Sequence, residues 1–286
     1  MSVILAQNNY GKSKVRLVRV ARHGDCHDVQ DITVNIAFEG DFEAAHLTGD
    51  NSKILPTDTM KNTVYALAKQ APDIEEIEAF ALRLTDHFLS HNPQTSRVII
   101  EIAERQWTRI PVGGRPHQHA FTKGSNEQRT TTVKATRDHV TVASGVADLV
   151  VLKTTGSGFT GYIKDQFTTL TETTDRIFAT AIKAEWRYAD KEAATGTTWH
   201  SVRQMILETF AQHDSLSVHQ TLYAIGEVIL ENCEDIMEIS LSLPNKHCLL
   251  VNLAPFGMEN RNEIFVPTDE PHGLIEAKLK KSVGEG

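Results

Sequence analysis

Two side-chain periods alternate along this chain, and their order restricts the possible folds more than any single motif does. Val18 and Val20 alternate with Arg19 and Ala21 within residues 14–22. After the polar turn His23-Gly24-Asp25, a second run sets Ile32, Val34, Ile36 and Phe38 on one face. Successive side chains of a strand point to opposite faces, so these runs predict two half-buried strands joined as a hairpin. The period then lengthens. Met60, Val64, Leu67 and Ala68 share one helical face; Ile74, Ile77, Phe80, Ala81, Leu84 and Phe88 share another, with Glu75, Glu76 and Glu78 near the start of the second helix. Thr57 or Asp58 is expected to cap the first helix, because either oxygen can accept from a free first-turn N–H. Period two returns at Val98–Ile102 and through Thr130–Val133.

The second half repeats the order. Val140–Lys153 and Ala179–Tyr188 read as strands. Val202, Met205, Ile206 and Phe210 mark one helix, and Leu222, Ile225, Gly226 and Ile229 another. Ile239–Leu243 and Leu249–Leu253 read as strands again. Hairpin-paired strands with grouped helices between them favour an α+β fold with antiparallel sheets over alternating βαβ units. The polar stretch Ala135–His139 is the expected boundary, giving domains 1–137 and 138–286. Only the pattern repeats; the halves show no strong sequence identity.

A length of 286 residues allows one large domain or two ordinary ones. With 40% hydrophobic and 23% charged residues the chain is expected to be globular, and its net charge of −8 argues against a nucleic-acid binder held by phosphate contacts. No apolar run approaches the ~20 residues that span a bilayer. Met1–Tyr10 has no basic segment followed by an apolar one, and Ser282-Val283-Gly284-Glu285-Gly286 is not a peroxisomal Ser-Lys-Leu tail. Cys26, Cys233 and Cys248 form no close pair. The expectation is a reduced, cytoplasmic protein.

Ser242-Leu243-Pro244-Asn245-Lys246-His247 follows an alternating run and precedes another. Pro244 has no N–H to donate and is expected to end the ladder, leaving Asn245 and His247 at a kink between rigid strands, where they can meet a ligand; a plain polar hairpin turn fits the same residues. Lys12, beside Gly11, is a base if desolvated and an ordinary solvated lysine otherwise. With Thr57 beside it, the pair makes a short proton relay. Gly156 and Gly158 free the backbone next to Phe159, whose face can receive a planar ligand, and Arg176 offers a planar fork of donors. The bland alternative is a core Phe with an Asp175–Arg176 surface pair. Ser215–Tyr223 opens a helix whose free N–H groups can hold an anion or simply be capped. His23, Cys26 and His27, and also His117 with His119, could offer ligands to zinc or copper, but neither group has finger spacing.

Taken together, Tyr10-Gly11-Lys12, Thr57-Asp58 with Lys61-Asn62-Thr63, Trp107-Thr108-Arg109, Arg115-Pro116-His117 with His119 and Phe121, Val151-Leu152-Lys153-Thr154-Thr155, Thr168-Thr169-Leu170 with Glu172, Thr173, Asp175 and Arg176, and Ser242–His247 resemble the urate oxidase (uricase) family, bacterial type. Each motif alone is weak; their order and spacing from about Tyr10 to Ile275 are specific. The resemblance implies two tandem T-fold (tunnelling-fold) domains, each an antiparallel four-stranded sheet with two helices on one face. It implies a homotetramer around a tunnel-shaped β-barrel, with active sites between subunits. It implies an oxidoreductase of purine metabolism that starts urate degradation: urate, O2 and water give 5-hydroxyisourate and hydrogen peroxide with no metal and no organic cofactor. By position, Lys12, Thr57 and His247 resemble the family's proton relay. Arg176 would pin the urate edge, Phe159 would stack on the purine, and Asn245 would hold O2, peroxide or water. Asp58 and Val218 would give backbone contacts and Leu170 an apolar wall. The family usually has Gln directly after the position of Val218; here His219 stands there and Gln220 follows. An imidazole lacks the amide's paired donor and acceptor, so weaker urate binding is expected, unless a helix shift brings in Gln220. Two alternatives remain: a T-fold enzyme acting on a pterin-like heterocycle through zinc on His117 and His119, and a purine-binding tetramer with reduced activity.

Overall fold

The computed structural model describes residues 3–282; Met1, Ser2 and the tail Val283–Gly286, with its expected lack of a peroxisomal signal, lie outside them. The fold is α+β. Its strands are β1 (Tyr10–His23), β2 (Cys26–Gly40), β3 (Thr95–Val112), β4 (Arg115–Ala135), β5 (Val140–Lys153), β6 (Phe178–Tyr188), β7 (Ile236–Leu250) and β8 (Phe265–Lys280). Its helices are α1 (Glu43–Leu47), α2 (Thr57–Gln70), α3 (Ile77–His91), α4 (Gly196–Gln212) and α5 (Val218–Asn232). By internal contacts the chain forms two compact units, residues 1–145 with 187–199, and residues 146–186 with 200–286.

In the first unit β1, β2, β3 and β4 lie side by side in chain order, each antiparallel to the next. The expected alternation holds: Ile32, Val34, Ile36 and Phe38 are buried, while Thr33, Asn35 and Ala37 between them are partly exposed. Ile77, Phe80, Ala81, Leu84 and Phe88 of α3 are buried by their helical spacing. Phe38 meets Phe88 edge-on with centroids 5.1 Å apart, so strand and helix faces interdigitate. Burying such side chains supplies about 1.5–3 kcal/mol each.

The start of α2 differs from expectation. Pro56 is its N-cap and makes no side-chain cap bond, because Thr57 is already the first helical residue. Asp58 instead accepts from Lys61 and, at 3.0 Å, from Asn62 on the next turn. Pro56 at the cap position is extended, with φ −55° and ψ 136°, and has no side-chain oxygen to accept from a first-turn N–H.

The larger parts of β5 and β6, with β7 and β8, belong to the second unit and again follow chain order. Val218, Leu222, Ile225, Gly226 and Ile229 form the buried face of α5. Gly226 packs closely on β8: a Cβ there would come within 2.9 Å of the Leu279 side-chain end, which would have to shift.

The polar stretch after Leu243 is not a kink between two strands. β7 runs unbroken through Pro244, which pairs with Leu274. The irregularity sits next to it: Asn245 pairs with Gly273 but His247 with Thr268, so β7 spends one residue where β8 spends Asp269, Glu270, Pro271 and His272. The expected strand at Leu249–Leu253 therefore dissolves: Leu249 and Leu250 complete β7. β8 carries no expectation from the sequence, because Pro267, Pro271 and its charged residues hide its alternation.

Candidate functional site

The site residues expected from sequence fall into two groups, one in each unit. In the first unit, Gly11 lies so close to β2 that a Cβ would sit 1.8 Å from the Ile36 carbonyl oxygen; only glycine lets β1 pair here. Just beyond Lys12 the register slips, and Lys14 takes a positive φ of 57°. The Lys14 N–H is recovered by the Asn35 side chain at 2.8 Å. This bulge re-aims the strand end that carries Lys12. The Tyr10 hydroxyl accepts from the Leu55 N–H at 2.9 Å, which ties the entry of α2 to β1. Lys12 is near enough to Asp58 to help hold its carboxyl below the usual range, after the larger effects of Lys61. Lys12 and Thr57 are partly exposed and Asp58 is exposed.

In the second unit, a cleft of about 290 Å³ is lined by Phe159, Leu170, Thr173, Arg176, Asn245 and His247 among others. Five of the expected site residues thus converge from separate segments. Asn245 and His247 share a strand face at period two, and the extra β8 residues lie opposite Lys246 between them.

The Phe159 side of the cleft is built by backbone. Phe159 and Thr173 exchange N–H···O bonds of 2.7 and 3.2 Å, and Gly158 and Ser215 N–H groups bond Ser215 and Gly156 carbonyls at 2.8 and 2.9 Å. A Cβ on Gly158 would lie 3.0 Å from the Thr174 carbonyl oxygen, so any side chain here would press on that backbone. Asp175 completes the loop, accepting from the Thr155 hydroxyl at 2.8 Å and the Gly156 N–H at 2.9 Å. The Thr155 bond, more than the other contacts, holds its carboxyl below the usual range. The expected alternative of an Asp175–Arg176 surface pair is therefore not what forms.

Arg176 is half-buried with its guanidinium carbon 5.4 Å from the centre of the Phe159 ring. Burial lowers its pKa, and among the described residues no carboxylate pairs with the guanidinium to offset this. A desolvated cation beside an aromatic face is chemically suited to a planar, delocalised anion.

Val218, His219 and Gln220 form the first turn of α5, with Val218 buried and the other two exposed. They do not line the cleft. Ser217 caps the helix by accepting from the Gln220 N–H at 3.2 Å, and the Gln220 side-chain oxygen accepts from the Leu216 N–H at 3.0 Å. The Gln220 amide oxygen is thus engaged locally. Beneath this turn lies a chain of hydrogen bonds. Ser215 donates to the Ser217 carbonyl at 3.1 Å, Thr221 donates to Ser215 at 2.7 Å, and His213 Nδ1 lies 3.3 Å from Thr221 Oγ1. Burial, then Lys153, lowers the His213 pKa.

The two histidine groups considered for metal meet in the first unit, His27 to His119 at 5.7 Å and His117 to His119 at 4.6 Å between ring centroids. Among the described residues no group of three His, Cys, Asp or Glu side chains is arranged to hold a metal ion. Sequence reasoning passed over Tyr162, stacked on Phe159 at 4.8 Å. Two aromatics three residues apart around Gly161 were the available signal.

The chain matches the uricase family over residues 8–134 and 142–276. It is 43% identical over 279 residues to the uricase of Arthrobacter globiformis, covering 98% of this chain and 90% of that one. The uricase of Dictyostelium discoideum is 37% identical over 282 residues, covering 97% and 98%. The crystal structure of Arthrobacter globiformis uricase superposes with a TM-score of 0.93 at 42% identity, covering 100% of this chain and 98% of that one. A strand-and-helix order that repeats along the chain, a cleft with an arginine that pairs with no carboxylate among the described residues beside an aromatic face, and identity sustained along nearly the whole chain lead to one assignment: the protein belongs to the uricase family.

Proposed function

We propose that the protein is a urate oxidase, converting urate, O2 and water to 5-hydroxyisourate and hydrogen peroxide. The observation that carries this reading is Arg176, a half-buried guanidinium without a carboxylate partner beside the face of Phe159. Urate is a planar purine anion. Its ring would stack on Phe159, its carbonyl edge would accept from Arg176, and Leu170 would close an apolar side. The backbone at Asp58 and Val218, with His219 in place of the family's glutamine, would meet the remaining edges; the locally bonded Gln220 would stay outside.

The chemistry asks little beyond orientation and proton handling. Removing a further proton from urate makes it a stronger reductant toward O2, so binding and a relay can supply the acceleration. In this reading Lys12 and Thr57 take the substrate proton, His247 completes the relay, and Asn245 holds O2, peroxide or water over the ring. Lys12, Thr57 and Asp58 act at a site completed by another subunit of a homotetramer, and the domain division is 1–137 and 138–286. No metal or organic cofactor is needed, the setting is cytoplasmic, and neither nucleic acid nor membrane takes part. Among the described residues no helix is long and apolar enough to cross a membrane.

The test is urate consumption in air with a chelator present, followed by loss of ultraviolet absorbance and by peroxide. One peroxide per urate is expected, with Arg176→Gln raising KM at least tenfold, the scale of a lost charged hydrogen bond of ~1.5–3 kcal/mol. Saturable urate binding without peroxide would replace the reading with a binding protein, and loss of turnover on chelation would replace it with a metal enzyme.

A further inference from the structure

Phe159 carries a stacked aromatic partner on one face. The Tyr162 ring lies nearly parallel to it, with 13° between the planes and 4.8 Å between centroids. A planar ligand between them would need a separation of roughly 7 Å, twice the ordinary carbon contact distance. The face that Tyr162 covers is therefore closed to a planar ligand. The same side chain reaches further: its hydroxyl donates to the Leu170 carbonyl at 2.6 Å. Phe159 and Leu170 are both cleft residues, and both lie in one loop closed at its base by the Phe159–Thr173 backbone pair. Lys164 sits 5.5 Å from the centre of the Tyr162 ring and pairs with Glu172 at 2.8 Å, so the tyrosine is covered from outside as well.

We propose that Tyr162 is a positioning residue for urate: its ring fixes the stacking platform Phe159 from behind, while its hydroxyl holds the Leu170 wall. This deepens the urate oxidase reading and rests on it. Tyr162 never touches the substrate in this account. It denies Phe159 the freedom to tilt, and it couples two walls that approach the ligand from different directions. Removing the hydroxyl alone separates these two duties, because phenylalanine keeps the ring stack and loses only the bond to Leu170.

The experiment compares wild type, Tyr162→Phe and Tyr162→Ala as full-length protein. Steady-state kcat and KM are measured in air, urate affinity by equilibrium dialysis under anaerobic conditions, and melting temperature alongside. Tyr162→Phe is expected to weaken anaerobic urate binding about fivefold, the worth of one net hydrogen bond, with kcat within about twofold of wild type. Tyr162→Ala is expected to weaken it at least tenfold and to lower kcat too, because the platform itself is freed. A lowered melting temperature with unchanged urate affinity in both variants would overturn the proposal, since that is the mark of a purely structural tyrosine. If the alanine variant does not fold, the phenylalanine variant decides alone: urate affinity equal to wild type overturns the role of the hydroxyl. A wild type that makes no peroxide from urate fails the functional reading instead, a result independent of how the variants bind.

Discussion

Asp175 and Arg176 are neighbours of opposite charge that do not pair: the carboxylate accepts from the Thr155 hydroxyl and the Gly156 N–H, while the guanidinium stands over Phe159. One acid thus builds the loop and one base is left for a ligand. Asp175→Ala removes the loop contacts and lets Phe159 wander. We expect kcat/KM for urate to fall at least tenfold, given ~1.5–3 kcal/mol for hydrogen bonds to a charged group. The melting temperature should change little, because the aspartate is exposed. Kinetics unchanged from wild type would show that the loop holds its shape without it.

Two glycines should resist substitution for the same physical reason at different places. Gly11→Ala drives a Cβ into the Ile36 carbonyl, and Gly158→Ala presses on the Thr174 carbonyl at 3.0 Å. Backbone cannot yield as a side-chain tip does. Gly11→Ala is expected to lose about 1–3 kcal/mol or more of stability in urea unfolding, the range for overpacking. Gly158→Ala should chiefly raise KM. Normal stability in Gly11→Ala would mean that β1 can pair with β2 without this close approach.

Ion pairs should divide sharply by burial. Arg129 lies 2.6 Å from Glu78, both buried, and Glu78 also accepts from the Ser144 hydroxyl. Removing Arg129 leaves the buried Glu78 carboxylate without its cation, so Arg129→Ala is expected to cost about 3–5 kcal/mol, whereas Glu78→Ala leaves Arg129 its second partner Glu76. Lys164→Ala at the exposed pair with Glu172 should leave the unfolding midpoint close to that of wild type. Equal effects of Arg129→Ala and Lys164→Ala on chemical denaturation would contradict the assigned burial.

Stability should also fall with mild acid. Burial lowers the pKa of His213, with a further push from Lys153, and burial lowers that of His87, with a further push from His91. In the unfolded chain each returns to about 6.5. The unfolded state therefore binds these protons first, so the stability they contribute is complete above about 6.5 and is lost as pH drops toward their folded values. Urea midpoints measured from about pH 7.5 to about pH 5.5 should decline in wild type and decline less in His87→Gln/His213→Gln. Parallel declines would place the acid sensitivity elsewhere.

The sequence was most informative where one period persists. The α3 stripe from Ile77 to Phe88 and the β2 face from Ile32 to Phe38 are each set by burial on a single side, so pattern and structure agree. Pro244 misled because a proline usually stops a ladder, whereas here β7 absorbs it and the irregularity moves to β8. Thr57 misled because a capping residue type stood one position inside the helix. The Ser157–Ser215 bridge could not be read at all, since nothing local in either serine encodes a partner so distant in sequence. For the site, residue types were legible but their convergence was not: the sequence names Phe159, Arg176, Asn245 and His247, and folding supplies the cleft they share.

The extra residues of β8 opposite Lys246 have an evolutionary consequence. Asp269, Glu270, Pro271 and His272 leave the ladder between Thr268 and Gly273, while pairing stays regular on both sides, from Leu250 with Phe265 to Glu238 with Lys280. A segment already outside the register can lengthen, shorten or change charge without rotating Leu243 out of the core. The polar stretch beside it can therefore be retuned by drift in a neighbouring strand, leaving Asn245 and His247 themselves untouched. Variation among descendants of this chain should accumulate there before it reaches the residues that face the cleft.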